Sequence, residues 1–337
     1  MTTFSLPAPR LAGLVSALPA HVEANADLAD RFGAETIAKI IAATGIERRP
    51  IARTETVGEL GTLAARRLLE RLDWAPGTVD LLVVVTQTPD YPMPATACVM
   101  QNALGLSART AAFDLSLGCS GFVYALSVVS SLLATGAARR ALLVTGDITS
   151  RLIGPDDRSL APLFGDAVTV TALEAGTGIG KIAFDLGTDG SGAPYLTCRT
   201  GGTIEPGPPR LFMDGTQVMA FSLKQVRPSI QRVLAEAGRA MAEVDHVVLH
   251  QANAMMLKVL GQKLGAAPEQ LVVALKDYGN TSSASIPLAL TACLGDAEGS
   301  KHLLLSGFGV GWSWASAYWE TMVPGVCEIV RGGADRQ

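Results

Sequence analysis

An α/β protein built from two similar halves is what the sequence predicts, and three observations predict it. Short apolar runs, LLVVV (81–85), ALLVTG (141–146), VTVTAL (168–173), HVVLH (246–250) and HLLLSGFG (302–309), alternate with helical patterns. Such unbroken Val- and Leu-rich strands suit a sheet covered by helices on both faces. The 337 residues, 48% hydrophobic and 17% charged, are enough to fill a large core. The third observation is that the chain repeats itself.

Taken in order, LAGLVSALPA (11–20) follows Arg10 and loosely imitates a signal peptide. Its apolar run is short and broken by Gly13, so it reads as a first strand that turns at Pro19. No stretch reads as a membrane span, and the expectation is a cytoplasmic protein. GTLAARRLLERLDWAPGTVDLLVVV (61–85) is a helix, a loop and a Val-Asp step into a strand; SIQRVLAEAGRAMAEVDHVVLH (229–250) repeats that grammar. ACVMQNALGLS (97–107) is answered by MMLKVLGQKLGAA (255–267), DLSLGCSGFVYAL (114–126) by DYGNTSSASIPLAL (277–290), and ALLVTGD (141–147) by LLLSGFG (303–309). Four pairs in one order imply a duplicated unit, divided into residues 1–175 and 176–337. The Gly- and Pro-rich residues 185–225 read as an insertion over the joint. Gly136, Gly165 and Gly261 are expected where helices or turns end.

The net charge of −4 carries no block of like charge, which argues against a nucleic-acid partner. It leaves room for an acidic carrier protein on a local basic patch. Cys98, Cys119, Cys198, Cys293 and Cys327 contain no CxxC pair, which points to a reducing compartment. With only four scattered histidines, no metal site is expected.

In open sheets, chemistry gathers at the carboxyl ends of strands, and twin halves bring two such ends together. Four loops fall there, carrying Cys119, His250, Asn280 and GFGVG (307–311). Cys119 stands between Gly118 and Gly121 at a helix start, a setting that favours a thiolate. The competing reading is a buried structural thiol, and the other four cysteines are left with it. His250 is either a satisfied core residue or a base at the edge of a site. Asn280 is either ordinary Gly-Asn turn chemistry or an amide held by a helix start. GFGVG is either a turn or a source of backbone N–H groups for an oxyanion.

Together, Cys119 in GCSGF, His250 in HQAN, Asn280 in GNTS and the terminal GFGVGWSW resemble the β-ketoacyl-acyl carrier protein synthase III family of the thiolase superfamily. The resemblance covers nearly the whole chain, including TGIERR (44–49), QTPDYPMPATAC (87–98) and LFGD (163–166). It implies a five-layered αβαβα thiolase fold of two duplicated halves, a homodimer, and acyl carrier protein as partner. It implies acyl transfer to Cys119 from acyl-coenzyme A or an acyl-carrier thioester, with no further cofactor. A decarboxylative condensation with malonyl-carrier protein would follow, His250 and Asn280 stabilising the enolate. The backbone N–H groups of Cys119 and Val310 would form the oxyanion hole. Met93, Arg158, Phe164, Met213, Gly309 and Gly311 are the implied substrate-binding residues. The chain departs from the family at Lys39 and Ala43, where Trp and Arg usually clasp coenzyme A, and at Met255, where an Arg is usual. Lys258 or Lys263 would then replace lost charge. The alternative function is an acyltransferase that passes the Cys-bound acyl group to oxygen or nitrogen.

Overall fold

The structure, a computed structural model, describes residues 2–176 and 178–333. Its strands are β1 (Thr3–Pro7), β2 (Arg10–Leu18), β3 (Val22–Ala24), β4 (Arg48–Pro50), β5 (Leu81–Val85), β6 (Ala111–Leu115), β7 (Arg140–Asp147), β8 (Ala167–Glu174), β9 (Lys181–Thr188), β10 (Leu196–Cys198), β11 (Leu211–Met213), β12 (His246–Leu249), β13 (Ser300–Gly309), β14 (Ser313–Met322) and β15 (Cys327–Arg331). Its α-helices are α1 (Ala29–Phe32), α2 (Ala34–Thr44), α3 (Val57–Leu72), α4 (Thr96–Ala103), α5 (Gly121–Ala134), α6 (Gly215–Ala237), α7 (Ala254–Leu264) and α8 (Ser285–Leu294).

Two large mixed sheets form, in the orders β15-β2-β8-β7-β5-β6 and β1-β9-β14-β13-β12. The repeat is visible strand for strand: β2, β8, β7 and β5 match β9, β14, β13 and β12. Leu271, bridged in parallel to Val247, stands where β6 stands in the other half. The paired aspartates explain themselves. Asp80 accepts the backbone N–H groups of Arg139 and Arg140 at the start of β7, and Asp245 accepts that of His302 in β13. Each carboxylate fixes the register of two parallel strands.

Alternate residues of the central strands face opposite layers, as a pleated strand requires. Leu81, Val83 and Val85 join a cluster with Phe122, Leu126 and Val129 of α5 and Ile286 and Leu290 of α8. Leu82 and Val84 join another with Leu60, Ala64 and Leu68 of α3 and Met100 of α4. The second sheet is covered by α6 and α7, through Val226, Ile230, Leu257 and Leu260. The order is therefore helices, sheet, helices, sheet, helices: the five-layered αβαβα thiolase fold. Each fully buried large aliphatic contributes roughly 1.5–3 kcal/mol. A capping box sharpens the start of α3, where Thr56 and Glu59 satisfy each other's backbone N–H groups.

Two sequence expectations need correction, and the edge strands at the ends of the chain cross the 175/176 division, which itself falls between β8 and β9. β1 pairs antiparallel with β9 of the second sheet, and β15 pairs parallel with β2 of the first. Which sheet an edge strand joins is a tertiary choice that local pattern does not record. The insertion is shorter than 185–225, because β9 runs to Thr188 and α6 begins at Gly215. Gly261 does not end its helix: it lies buried within α7, where a Cβ would come 2.8 Å from Leu271 Cδ2. Gly265, at φ 73°, is the cap. Among the described residues no helix is long and apolar enough to cross a membrane.

Candidate active site

Cys119 stands in the link from β6 to α5, with Ser120 as the helix N-cap. The bracketing glycines are closely approached, Gly118 by a movable side-chain tip and Gly121 by a branched strand residue. A Cβ on Gly118 would lie 2.5 Å from Gln87 Oε1, and one on Gly121 would lie 2.5 Å from Val85 Cγ1. From the opposite side, β13 presses its backbone on the same loop. A Cβ on Gly307 would lie 2.5 Å from the Cys119 carbonyl oxygen and 2.8 Å from Ser120 Cα. Backbone cannot swing aside as a side-chain tip can, so Gly307→Ala has to displace Cys119. We expect acylation of that variant to fall about 100-fold, since misplacement by about 1 Å costs that much. Its melting temperature should fall as well. Unchanged acylation kinetics would show that the loop yields freely.

His250 follows β12, its N–H donating to the Ser306 carbonyl at 2.8 Å. The rest of HQAN serves structure. Gln251 donates to the Leu249 and Val272 carbonyls and accepts from Ala274 N, which ties the 271–274 segment to the end of β12. Asn253 caps α7 by accepting from Met256 N at 2.8 Å. The His250 ring packs edge-on against Phe308 with centroids 5.7 Å apart, and its Nδ1 is 2.7 Å from Ser285 Oγ. It is 3% exposed, and burial pushes the imidazole down to about 3. The ring is therefore neutral at physiological pH. An unfolded-chain histidine titrates near 6.5, so below that pH the unfolded state binds a proton that the folded state refuses. Stability conferred by keeping His250 neutral is complete above pH 6.5 and is lost as pH falls toward 3. Between pH 7 and 4 we expect wild type to lose about 3 kcal/mol more than His250→Gln in chemical denaturation. Parallel losses would mean that the imidazole charges freely in the fold.

Asn280 is placed by backbone. Its N–H donates to the Leu163 carbonyl at 2.9 Å and its own carbonyl accepts from Gly165 N at 3.0 Å. Gly165 is needed there, because a Cβ would lie 2.1 Å from the Tyr278 carbonyl oxygen. The side-chain Oδ1 accepts the Ser282 N–H at 3.0 Å, which leaves the amide NH2 as the group to offer.

Cys119, His250 and Asn280 border one cavity of about 70 Å³, walled by Phe164, Met213 and Phe308 among others. Gly309 lies against the thiol, and a Cβ there would come 3.2 Å from Sγ. On the other side of Cys119 a second space of about 40 Å³ is bordered by Val310, Gln87, Asp147, Ser282 and Leu211. Phe164 and Leu196 line both. Strand β11 thus contributes Met213 to one cavity and Leu211 to the other, while Phe212 between them is exposed. The remaining predicted residues are elsewhere in this single chain. Met93 is 82% exposed, Arg158 is exposed, and Gly311, at φ 75°, borders neither cavity. A groove of about 820 Å³ over α3 and α4 holds none of these groups.

The thiol differs from the sequence expectation. Burial, then the nearby Asp147 carboxylate, push Cys119 up to about 12, outweighing the Ser282 hydroxyl and the Cys119 backbone N–H. The resting sulfur is protonated. Asp147 and Ser285 were not singled out from sequence, although Asp147 ends the ALLVTGD run.

A family model for 3-oxoacyl-[acyl-carrier-protein] synthase III matches residues 113–190, which include Cys119, and its C-terminal counterpart matches 234–321, which include His250, Asn280 and Val310. The β-ketoacyl-[acyl-carrier-protein] synthase III of Bordetella petrii is 39% identical over 316 residues, 91% of this chain and 96% of that protein. The chain belongs to this family. The crystal structure of a 3-oxoacyl-(acyl-carrier protein) synthase from Burkholderia xenovorans LB400 matches with TM-score 0.93 and 38% identity, over 98% of each chain. The priming β-ketosynthase of the R1128 polyketide pathway matches with TM-score 0.85 and 32% identity, over 95% of this chain and 97% of that one. Family membership therefore rests on both halves, and the fold on nearly the full length.

Proposed function

We propose that the chain takes an acyl group from a thioester onto Cys119 and joins it, with loss of carbon dioxide, to malonyl-acyl carrier protein. The product is a 3-oxoacyl thioester, the start of a fatty acid or polyketide chain. The observation that carries this reading is the convergence of sulfur, neutral imidazole and outward-facing amide on one cavity. Covalent capture splits a hard condensation into two easier steps. Decarboxylation then needs two donors on an enolate oxygen. The Asn280 amide is one. His250 is the other in the tautomer where the Ser285 hydroxyl donates to Nδ1 and the hydrogen sits on Nε2. The backbone N–H groups of Cys119 and Val310 are assigned to the acyl oxyanion, and thioester chemistry of this kind calls for no further cofactor.

The working unit in this reading is a homodimer, with exposed Met93 reaching a partner subunit's acyl space. Donor recognition departs from the usual coenzyme A clasp. Lys39 is paired with Glu35, Ala43 is exposed, and Met255 is 51% exposed. Lys258 is exposed, while Lys263 donates to the Leu223 carbonyl at 2.7 Å. A carrier-bound donor fits these changes better than free coenzyme A thioester. Intact-mass analysis with matched coenzyme A and carrier thioesters, then with malonyl-carrier protein, tests all of this. The expected course is an acyl adduct on Cys119, faster from the carrier, then carbon dioxide and a lengthened product. An adduct that passes to an alcohol or amine without carbon dioxide would replace condensation by simple acyl transfer.

A further inference from the structure

Asp147 is a 1%-exposed carboxylate at the end of β7, beside the nucleophile, and the reaction described so far gives it no task. Its Oδ1 accepts from Gln87 N at 2.7 Å and Thr86 Oγ1 at 3.2 Å. Its Oδ2 accepts from Ser283 Oγ at 2.7 Å and Ser283 N at 3.2 Å. Among the described residues no lysine, arginine or histidine is hydrogen-bonded to it. A buried carboxylate without a cation is costly to keep. The Ser282 hydroxyl borders the same cavity as this carboxylate and the Cys119 thiol, and it acts to lower both groups against the effect of burial.

We propose that Cys119, Ser282 and Asp147 form a closed proton relay in which Asp147 holds the thiol proton while the sulfur attacks a thioester. The inference deepens the acyl-transfer reading and rests on it. Electrostatics supports the direction. Two negative charges in one dry space repel, so losing the proton to solvent is disfavoured. Passing it to Asp147 keeps the pair at one negative charge throughout. Burial raises the Asp147 carboxyl, which makes it a better acceptor. The groups facing it from β5, from the start of α8 and from the Cys119 loop are Thr86, Gln87, Ser282, Ser283 and Cys119. Only the thiol among these titrates. His250 borders the other cavity and is neutral.

The step balances. Sγ bonds to the thioester carbonyl carbon as its proton passes to Ser282 Oγ and the Ser282 proton passes to Asp147. The tetrahedral intermediate collapses, its bond to the leaving sulfur breaks, and the electron pair departs with that sulfur. The proton returns along the same path to give a free leaving thiol and an ionised Asp147.

Iodoacetamide alkylation of Cys119, followed by intact mass from pH 6 to 9, tests the relay without any thioester. Wild type, with its proton exchanged internally, should change less than about threefold across the range. Asp147→Asn and Ser282→Ala must lose the proton to solvent and should accelerate about tenfold per pH unit. Ser282→Ala keeps the buried charge and serves if Asp147→Asn melts early. A tenfold rise per unit in wild type, or flat profiles in both variants, overturns the relay. Because the probe is not a substrate, that failure is distinct from any absence of acyl adduct.

Discussion

Cys119→Ala should form no acyl adduct from any thioester, and condensation should fall roughly 10⁴-fold or more, the scale seen when a covalent nucleophile is removed. Alanine retains the backbone N–H at 119 and the start of α5, so only sulfur is lost. The variant discriminates between two jobs of one cavity. His250 is held through Nδ1 by Ser285, and Asn280 through Oδ1 by Ser282 N, neither through Cys119. Their donors remain where they were. Carbon dioxide release from malonyl-carrier protein should therefore survive at a substantial fraction of the wild-type rate, uncoupled from product. Intact mass and carbon dioxide release measure the two halves separately. An adduct that persists would place acylation on another group. Release that collapses along with acylation would make the sulfur part of the decarboxylating set.

Much of this was written locally in the sequence. Unbroken Val and Leu at 81–85 and 303–305 specified central strands, because only strands covered on both faces tolerate such runs. The duplication was legible because each half solves the same register problem with the same aspartate. Strand β9 was not, since KIAFDLGT abuts a Gly-rich stretch and its partners, β1 and β14, lie far away in sequence. For the site, the glycines around Cys119 reported real crowding. The protonation of its sulfur was invisible, because a helix start is local whereas the burial and Asp147 come from β13 and β7. Ser285 lies within DYGNTSSASIPLAL with nothing local to distinguish it from the other serines. That its hydroxyl meets His250 depends on α8 docking against the end of β12, which no spacing rule encodes.

The largest remaining effect is expected at His250 and Asn280, the pair proposed to serve decarboxylation. His250→Ala and Asn280→Ala should each slow carbon dioxide release by about 10²–10³-fold, equivalent to about 3–4 kcal/mol for one lost donor to a developing oxyanion. Acyl-adduct formation should fall far less, which separates a donor role from general damage to the cavity. If both groups serve one oxygen, the double variant should fall short of the product of the single effects, since the first loss already leaves that oxygen poorly held. Fully multiplicative losses would put the two donors on different oxygens. The neutral state of His250 adds a pH signature. Its imidazole lies at about 3, so its hydrogen-bonding form does not change between pH 5 and 8. Wild-type release should show no inflection near 6.5 in that window. An inflection that disappears in His250→Ala would show that the ring gains a proton, and the argument from burial would then fail at its central residue.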